Sequence, residues 1–112
     1  MTQNRLSAYR TMWLIVLYDL PTNTKSQKRV AARFRKDIMA YGFTMFQFSA
    51  YVRHVVSREQ ADAYKRRVKR LIPQEGLIGI LEVTDKQFGK IELFYARVKK
   101  EMPGAPQQLQ LF

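Results

Sequence analysis

Cysteine is absent, which excludes disulfides and thiolate metal sites and fits a reducing, cytoplasmic setting. Histidine occurs once, at His54, so no zinc site and no His-based acid–base pair can be assembled from one chain. His54 itself reads as a strand residue near the surface rather than a proton-transfer group. Long apolar runs are missing too. The stretch at residues 12–18 is far too short to span a bilayer, and its polar lead-in has no small-residue cleavage signature, so neither a membrane anchor nor a signal peptide is expected. There is no P-loop, no GxGxxG, no nucleophile elbow and no internal repeat. Above all, acids are scarce: 9 Asp and Glu stand against 20 Lys and Arg.

The resulting net charge of +11 implies self-repulsion unless an acidic partner offsets it. Nucleic acid is the expected partner. A membrane surface or a ribosomal-type structural role would explain the charge as well, but a membrane-surface helix needs bulky apolar residues to spare, and here those residues are needed for a core. At 112 residues the chain is one domain, small enough that a dimer sharing core surface is expected. Its apolar share of 46% and aromatic share of 12% belong to a folded globule, not a disordered basic arm.

Residues 1–11 read as a mobile lead-in, residues 12–95 as the folded domain and residues 96–112 as a flexible tail rich in Pro, Gly and Gln. The run at residues 12–18 is a central strand buried on both faces, stopped by Leu20-Pro21. Thr24 with Gln27 makes a capping box, and Val30, Phe34, Ile38 and Tyr41 give the following helix its buried stripe, closed by Gly42. Residues 43–56 are β-prone and too long for one strand; a break near residues 47–49 makes two. Ser57 with Gln60 opens a second helix with the stripe Ala61, Tyr64, Val68, Leu71 and Ile72, ended by Pro73. Residues 77–83 form the last main strand, with Gly79 marking a bulge or close backbone approach; residues 84–86 make a turn, and a short β-prone piece follows at 91–94.

Strand, helix, strand, strand, helix, strand is the ferredoxin-like split βαβ plan, an α+β fold with a four-stranded antiparallel sheet and both helices on one face. The bare face must be covered, and a second copy packed sheet on sheet is the simplest cover. The piece at 91–94 is then available as an extra C-terminal strand for the partner's sheet edge.

Asp19 is the residue of most interest. It ends the first strand, beside the start of a helix, and a carboxylate there suits a hard cation such as Mg²⁺. Two copies across a dimer axis would share the metal, which would polarise a phosphodiester and activate water. The alternative is that Asp19 only caps the next helix or fixes the Leu20-Pro21 turn. No other acid is spaced to pair with it. Six bases fall over residues 25–36 and seven over residues 53–70, most of them on the two helices. Such residues are often merely solvated, but here they far outnumber nearby acids. Lys25, Lys28, Arg29, Arg53, Arg58, Arg66, Lys69 and Arg70 are therefore assigned to phosphate contact, with steep salt dependence and no base readout. A faint likeness to the ribonucleoprotein motifs of RNA-recognition modules, at residues 15–20 and 42–48, fails on strand order, because the second motif belongs on the third strand there.

Three stretches together resemble CRISPR-associated protein 2, more narrowly the version found with type II systems: Tyr18-Asp19-Leu20-Pro21-Thr22, the segment from Gly42-Phe43-Thr44 to Tyr51-Val52-Arg53, and Gly79-Ile80-Leu81-Glu82-Val83-Thr84-Asp85-Lys86-Gln87-Phe88. The resemblance implies a ferredoxin-like homodimer that bridges integrase dimers during spacer acquisition, with protospacer duplex DNA along its basic surface. It also implies metal-dependent nuclease activity on RNA or DNA, with Asp19 at the family's motif aspartate. A non-catalytic scaffold with the same surface is the competing expectation. The final residues Gln108-Leu109-Gln110-Leu111-Phe112 resemble the pentapeptide by which bacterial proteins dock into the sliding clamp, with Leu109, Leu111 and Phe112 as anchors. The alternatives are packing on the chain's own dimer or on the integrase, or no role.

Overall fold

The apolar run forms β1 (Met12–Asp19), around which the rest of the chain is assembled. The computed structural model describes residues 12–96. Thr24 then caps α1 (Lys25–Ala40) through a complete box: Gln27 N–H donates to Thr24 Oγ1 at 3.0 Å and Thr24 N–H to Gln27 Oε1 at 3.1 Å. Gly42, at φ +90°, releases the chain into β2 (Thr44–Gln47) and β3 (Ala50–Val55). The expected break lies at Phe48-Ser49, where Ser49 takes φ +69°, and the pairing shifts between Met45 and Gln47. Ser57 caps α2 (Arg58–Leu71); the Gln60 side chain accepts from Val56 N–H, one residue outside the usual box. Then come β4 (Leu77–Thr84) and a single helical turn, α3 (Asp85–Phe88).

The sheet order is β2-β3-β1-β4 with every neighbouring pair antiparallel, which is the ferredoxin-like fold. Register separates the two faces. Met12, Leu14, Val16, Tyr51 and Val55 meet Phe34, Ile38, Ala61 and Val68 in the core on the helix side. Each fully buried Leu, Ile or Val there contributes roughly 1.5–3 kcal/mol. The alternate residues Trp13, Ile15, Leu17 and Asp19 point to the other face, with Val52, Leu77 and Leu81 as cross-strand neighbours. On that face the Trp13 end is closed by Phe88, stacked on the indole at 4.2 Å, while the Asp19 end stays open: Leu17 is 46% exposed and Leu77 74%. No helix among the described residues is long and apolar enough to cross a membrane.

Three local expectations need correction. Val30 and Ile72 do not complete the helix stripes but lie exposed, because the chain leaves the helix layer at Pro73 and no other described residue covers them. Gly79 sits in regular pairing with Leu17 and marks no bulge. The glycine at a close backbone approach is Gly76, whose φ of +105° lets the turn before β4 lie directly on Asp19 and Leu20. The turn at residues 84–86 is the start of α3, held by a Thr84–Gln87 capping box. Residues 91–96, which carry the piece expected to pair with a partner's sheet edge, have no regular secondary structure within this chain and lie exposed.

Candidate nucleic-acid interface and strand-end carboxylate

Asp19 is the last residue of β1, pairs with Leu77 and is exposed. Its neighbour Tyr18 anchors the strand end from the opposite side. The Tyr18 ring meets Phe34 edge-on at 5.0 Å and lies over Tyr51 at 6.0 Å. Burial, then the Tyr51 hydroxyl, push the Tyr18 phenol up to about 12, partly offset by Arg35. Arg35 in turn donates through Nε to Tyr51 Oη at 2.7 Å. Tyr18 is therefore a neutral strut at physiological pH and no general base. The alternation fixed by this anchor turns Asp19 outward on the helix-free face, beside Leu17 and Leu77.

Among the described residues no three His, Cys, Asp or Glu side chains come together to hold a metal. One chain thus offers a divalent cation one strand-end carboxylate. That donor set does not make a closed cage, but Mg²⁺ keeps most of its waters and takes one or two carboxylates plus substrate phosphates. A second Asp19 brought in by symmetry would complete such a set.

The basic residues sort into two groups. Arg53 is engaged inside the chain: Nε donates to Tyr41 O at 2.8 Å, Nη1 to His54 O at 2.7 Å and Nη2 to Tyr64 Oη at 2.9 Å, with the guanidinium 3.9 Å from the Tyr64 ring centroid. Arg58 is also committed, donating to both oxygens of Glu82 at 2.6 and 3.1 Å. Lys65 joins Glu82 at 2.7 Å. Hydrogen bonds from Arg58 and then Lys65 hold the Glu82 carboxyl down at about 2, against a smaller opposing effect of burial. These two arginines tie strands to helices, Arg53 with all three guanidinium nitrogens engaged and Arg58 half-exposed beside Glu82. Sequence reading missed this because Tyr64 and Glu82 lie far from them along the chain.

Lys25, Lys28 and Arg29 on α1, and Arg66, Lys69 and Arg70 on α2, are exposed and make no ion pair among the described residues. Topology brings them together. Each helix runs back along the strand before it, and β1 and β3 are antiparallel, so α1 and α2 are antiparallel to each other. The start of α1 and the end of α2 therefore share the end of the molecule where β1 delivers Asp19. Lys25, Lys28 and Arg29 from α1 and Lys69 and Arg70 from α2 thus lie toward the carboxylate end, while the ion-paired Arg58 sits at the other. The tail residues Leu109, Leu111 and Phe112 lie outside the described residues.

Comparison with known proteins places these features in a family. Residues 12–91 match the family described as CRISPR associated protein Cas2. A protein of Flavobacterium psychrophilum named CRISPR-associated endoribonuclease Cas2 is 45% identical over 108 residues, covering 96% of this chain and 94% of the relative. One of the same name from Parvibaculum lavamentivorans is 42% identical over 101 residues, covering 90% of this chain and all of the relative. A solved structure described as a crystal structure of cas2 aligns with a TM-score of 0.55 at 21% identity, over 78% of this chain and 87% of that one, a likeness of fold. Strand order and the matched span agree: the chain belongs to the CRISPR-associated Cas2 family.

Proposed function

We propose that this protein works as a two-fold dimer in CRISPR adaptation, holding duplex DNA by its phosphates and bridging dimers of the integrase subunit, and that paired Asp19 carboxylates give it Mg²⁺-dependent phosphodiesterase activity. The observation that carries the reading is the convergence at one end of the molecule. An outward carboxylate, exposed Leu17 and Leu77 beside it, and the unpaired bases at the start of α1 and the end of α2 share that end. Exposed leucines around a charged group on a sheet face favour burial against a like face, which removes apolar surface from water and brings two acids to one axis. Their mutual repulsion in turn favours a divalent cation between them. The exposed residues Leu93 and Phe94 suit pairing with a partner's sheet edge.

Bound between the Asp19 side chains, Mg²⁺ would neutralise charge on the phosphodiester and acidify the attacking water. The chain's own contribution is positional. β1 and the Tyr18 anchor fix the carboxylate, and Lys25, Lys28 and Arg29 hold the flanking phosphates and offset the charge that develops on the scissile one. Endoribonuclease is the activity in the names of the relatives, which supports hydrolysis of RNA as the first substrate class to assay.

Asp19→Asn tests the catalytic half: the side chain keeps its size and loses its charge. Cleavage of RNA or duplex DNA in Mg²⁺ is expected to fall at least ~100-fold, the scale of losing a main catalytic group, while duplex binding persists. Unchanged cleavage would remove Asp19 from the mechanism. Spacer acquisition that survives in cells with the variant assigns the biological role to the scaffold. The tail pentapeptide with Leu109, Leu111 and Phe112 is proposed as a tether to the sliding clamp; equal clamp retention by a chain lacking Leu111 and Phe112 would reject it.

A further inference from the structure

A groove of about 580 Å³ runs between α1 and the end of α2, lined by Arg29, Val30, Arg33, Lys36, Leu71 and Pro73, with Asp37 also on its wall. A second hollow of about 380 Å³ shares Val30 and Pro73 with it and continues to Leu20 and Pro21, next to Asp19. The two form one trough on the helix side, across the sheet from the face proposed for a second copy.

The trough joins two properties that a solvated helix surface does not need. Its floor is apolar, and Val30 is 44% exposed within it although it is spaced with the buried Phe34 and Ile38. Its rim is cationic. Arg29, Arg33 and Lys36 recur along one side of α1, and none has an ion pair or hydrogen-bond partner among the described residues. Asp37 offsets only part of that charge. A nucleic-acid backbone would satisfy the rim but leave Val30 and Leu71 against phosphate and sugar, with little apolar surface buried. A second copy of this chain brings positive charge to positive charge. An occupant with apolar anchors in line and acids flanking them satisfies both floor and rim.

We infer that this trough is a docking groove for an acidic, amphipathic protein segment, read by Leu-like anchors over Val30, Leu71 and Pro73 and by carboxylates at Arg33 and Lys36. The site differs from phosphate contact in what it requires of Val30. Its occupation would bring a partner's chain to the edge of the Asp19 site without touching the sheet face.

Two fluorescein-labelled helical peptides of about 16 residues test it by anisotropy with the full chain: one with Leu at every third or fourth position and Glu between, the other with Gln in place of Glu. The Glu peptide is expected to bind saturably and the Gln peptide about tenfold more weakly. Val30→Gln, which removes only the exposed apolar contact, and Arg33→Glu are each expected to weaken the Glu peptide about tenfold. Val30→Gln should bind duplex DNA as the parent does, and circular dichroism confirms that each variant keeps its fold. If Val30→Gln holds the Glu peptide as tightly as the parent, adhesion is by charge elsewhere and the groove is not its site. If Val30→Gln weakens duplex DNA in parallel with the peptide, the trough is a nucleic-acid surface. Either result overturns the inference.

Discussion

Gly76→Ala should move the Asp19 end of β1 more than a methyl group placed at any other described glycine. A Cβ at Gly76 would sit 2.5 Å from Leu20 Cδ2, 2.8 Å from Asp19 O and 3.2 Å from Leu20 Cα. The Leu20 methyl can rotate away; the two backbone atoms cannot without displacing the strand end. The φ of +105° adds its own penalty, because an L side chain rarely adopts it. Strained backbone of this kind costs about 1–3 kcal/mol, and overpacking against fixed atoms about 1–3 kcal/mol. A restricted unfolded chain returns roughly 0.4–1 kcal/mol. The net loss is therefore roughly 2–4 kcal/mol, which for a urea m-value of about 1–3 kcal/mol/M lowers the unfolding midpoint by about 1–2 M. Gly79→Ala is the matched control. Its Cβ meets only Leu17 O at 3.9 Å, and its φ is ordinary, so a change within about 0.5 kcal/mol is expected. Amide chemical shifts in Gly76→Ala should change most at residues 17–20 and 76–78. Equal midpoints for the two variants would refute the claim that the turn before β4 positions the carboxylate.

Arg53→Ala removes three donors and a stacked ring contact, so thermal and urea melts should show a loss of roughly 2–4 kcal/mol, and Arg53→Lys should rescue little because an ammonium cannot span the fork. Neutralising Arg66 and Lys69 to Gln should leave stability nearly unchanged but reduce the slope of log Kobs against log salt for duplex DNA by about 0.9 for each phosphate that these side chains neutralise in the parent. The Glu82 carboxyl is lowered from 4.5 to about 2 in the folded protein, so its stabilising effect is complete above pH 4.5 and is lost as the pH falls toward 2. After allowance for solvent screening at the half-exposed Arg58 partner, the difference between parent and Glu82→Gln should be about 1 kcal/mol at pH 6 and should shrink across that window in acid titrations of stability. A pH-independent difference would mean that Glu82 acts through packing rather than charge.

Local chemistry was legible from the chain alone wherever its signal lies within one or two turns. The apolar run of β1, the Thr24–Gln27 box, the break in the hairpin and the stop at Pro73 each depend on residues a few positions apart, and together they lead to the ferredoxin-like order. Asp19 could be singled out because a strand end is a place that sequence marks. The partners of Arg53 and Arg58 could not. Tyr41, Tyr64 and Glu82 come from other elements, and a base looks the same in sequence whether it reaches for a phosphate or for a carbonyl across the core.

Composition and periodicity settled that this chain is a basic α+β domain, because net charge is a sum and hydrophobic period is a property of neighbours. Tertiary structure alone decided that Asp19 points to the helix-free face, that Gly76 rather than Gly79 bears the tight approach, and that the bases at the start of α1 and the end of α2 share the carboxylate end. Each of these follows from register between strands and from the antiparallel run of two helices, relations between segments far apart in the chain that no local pattern encodes.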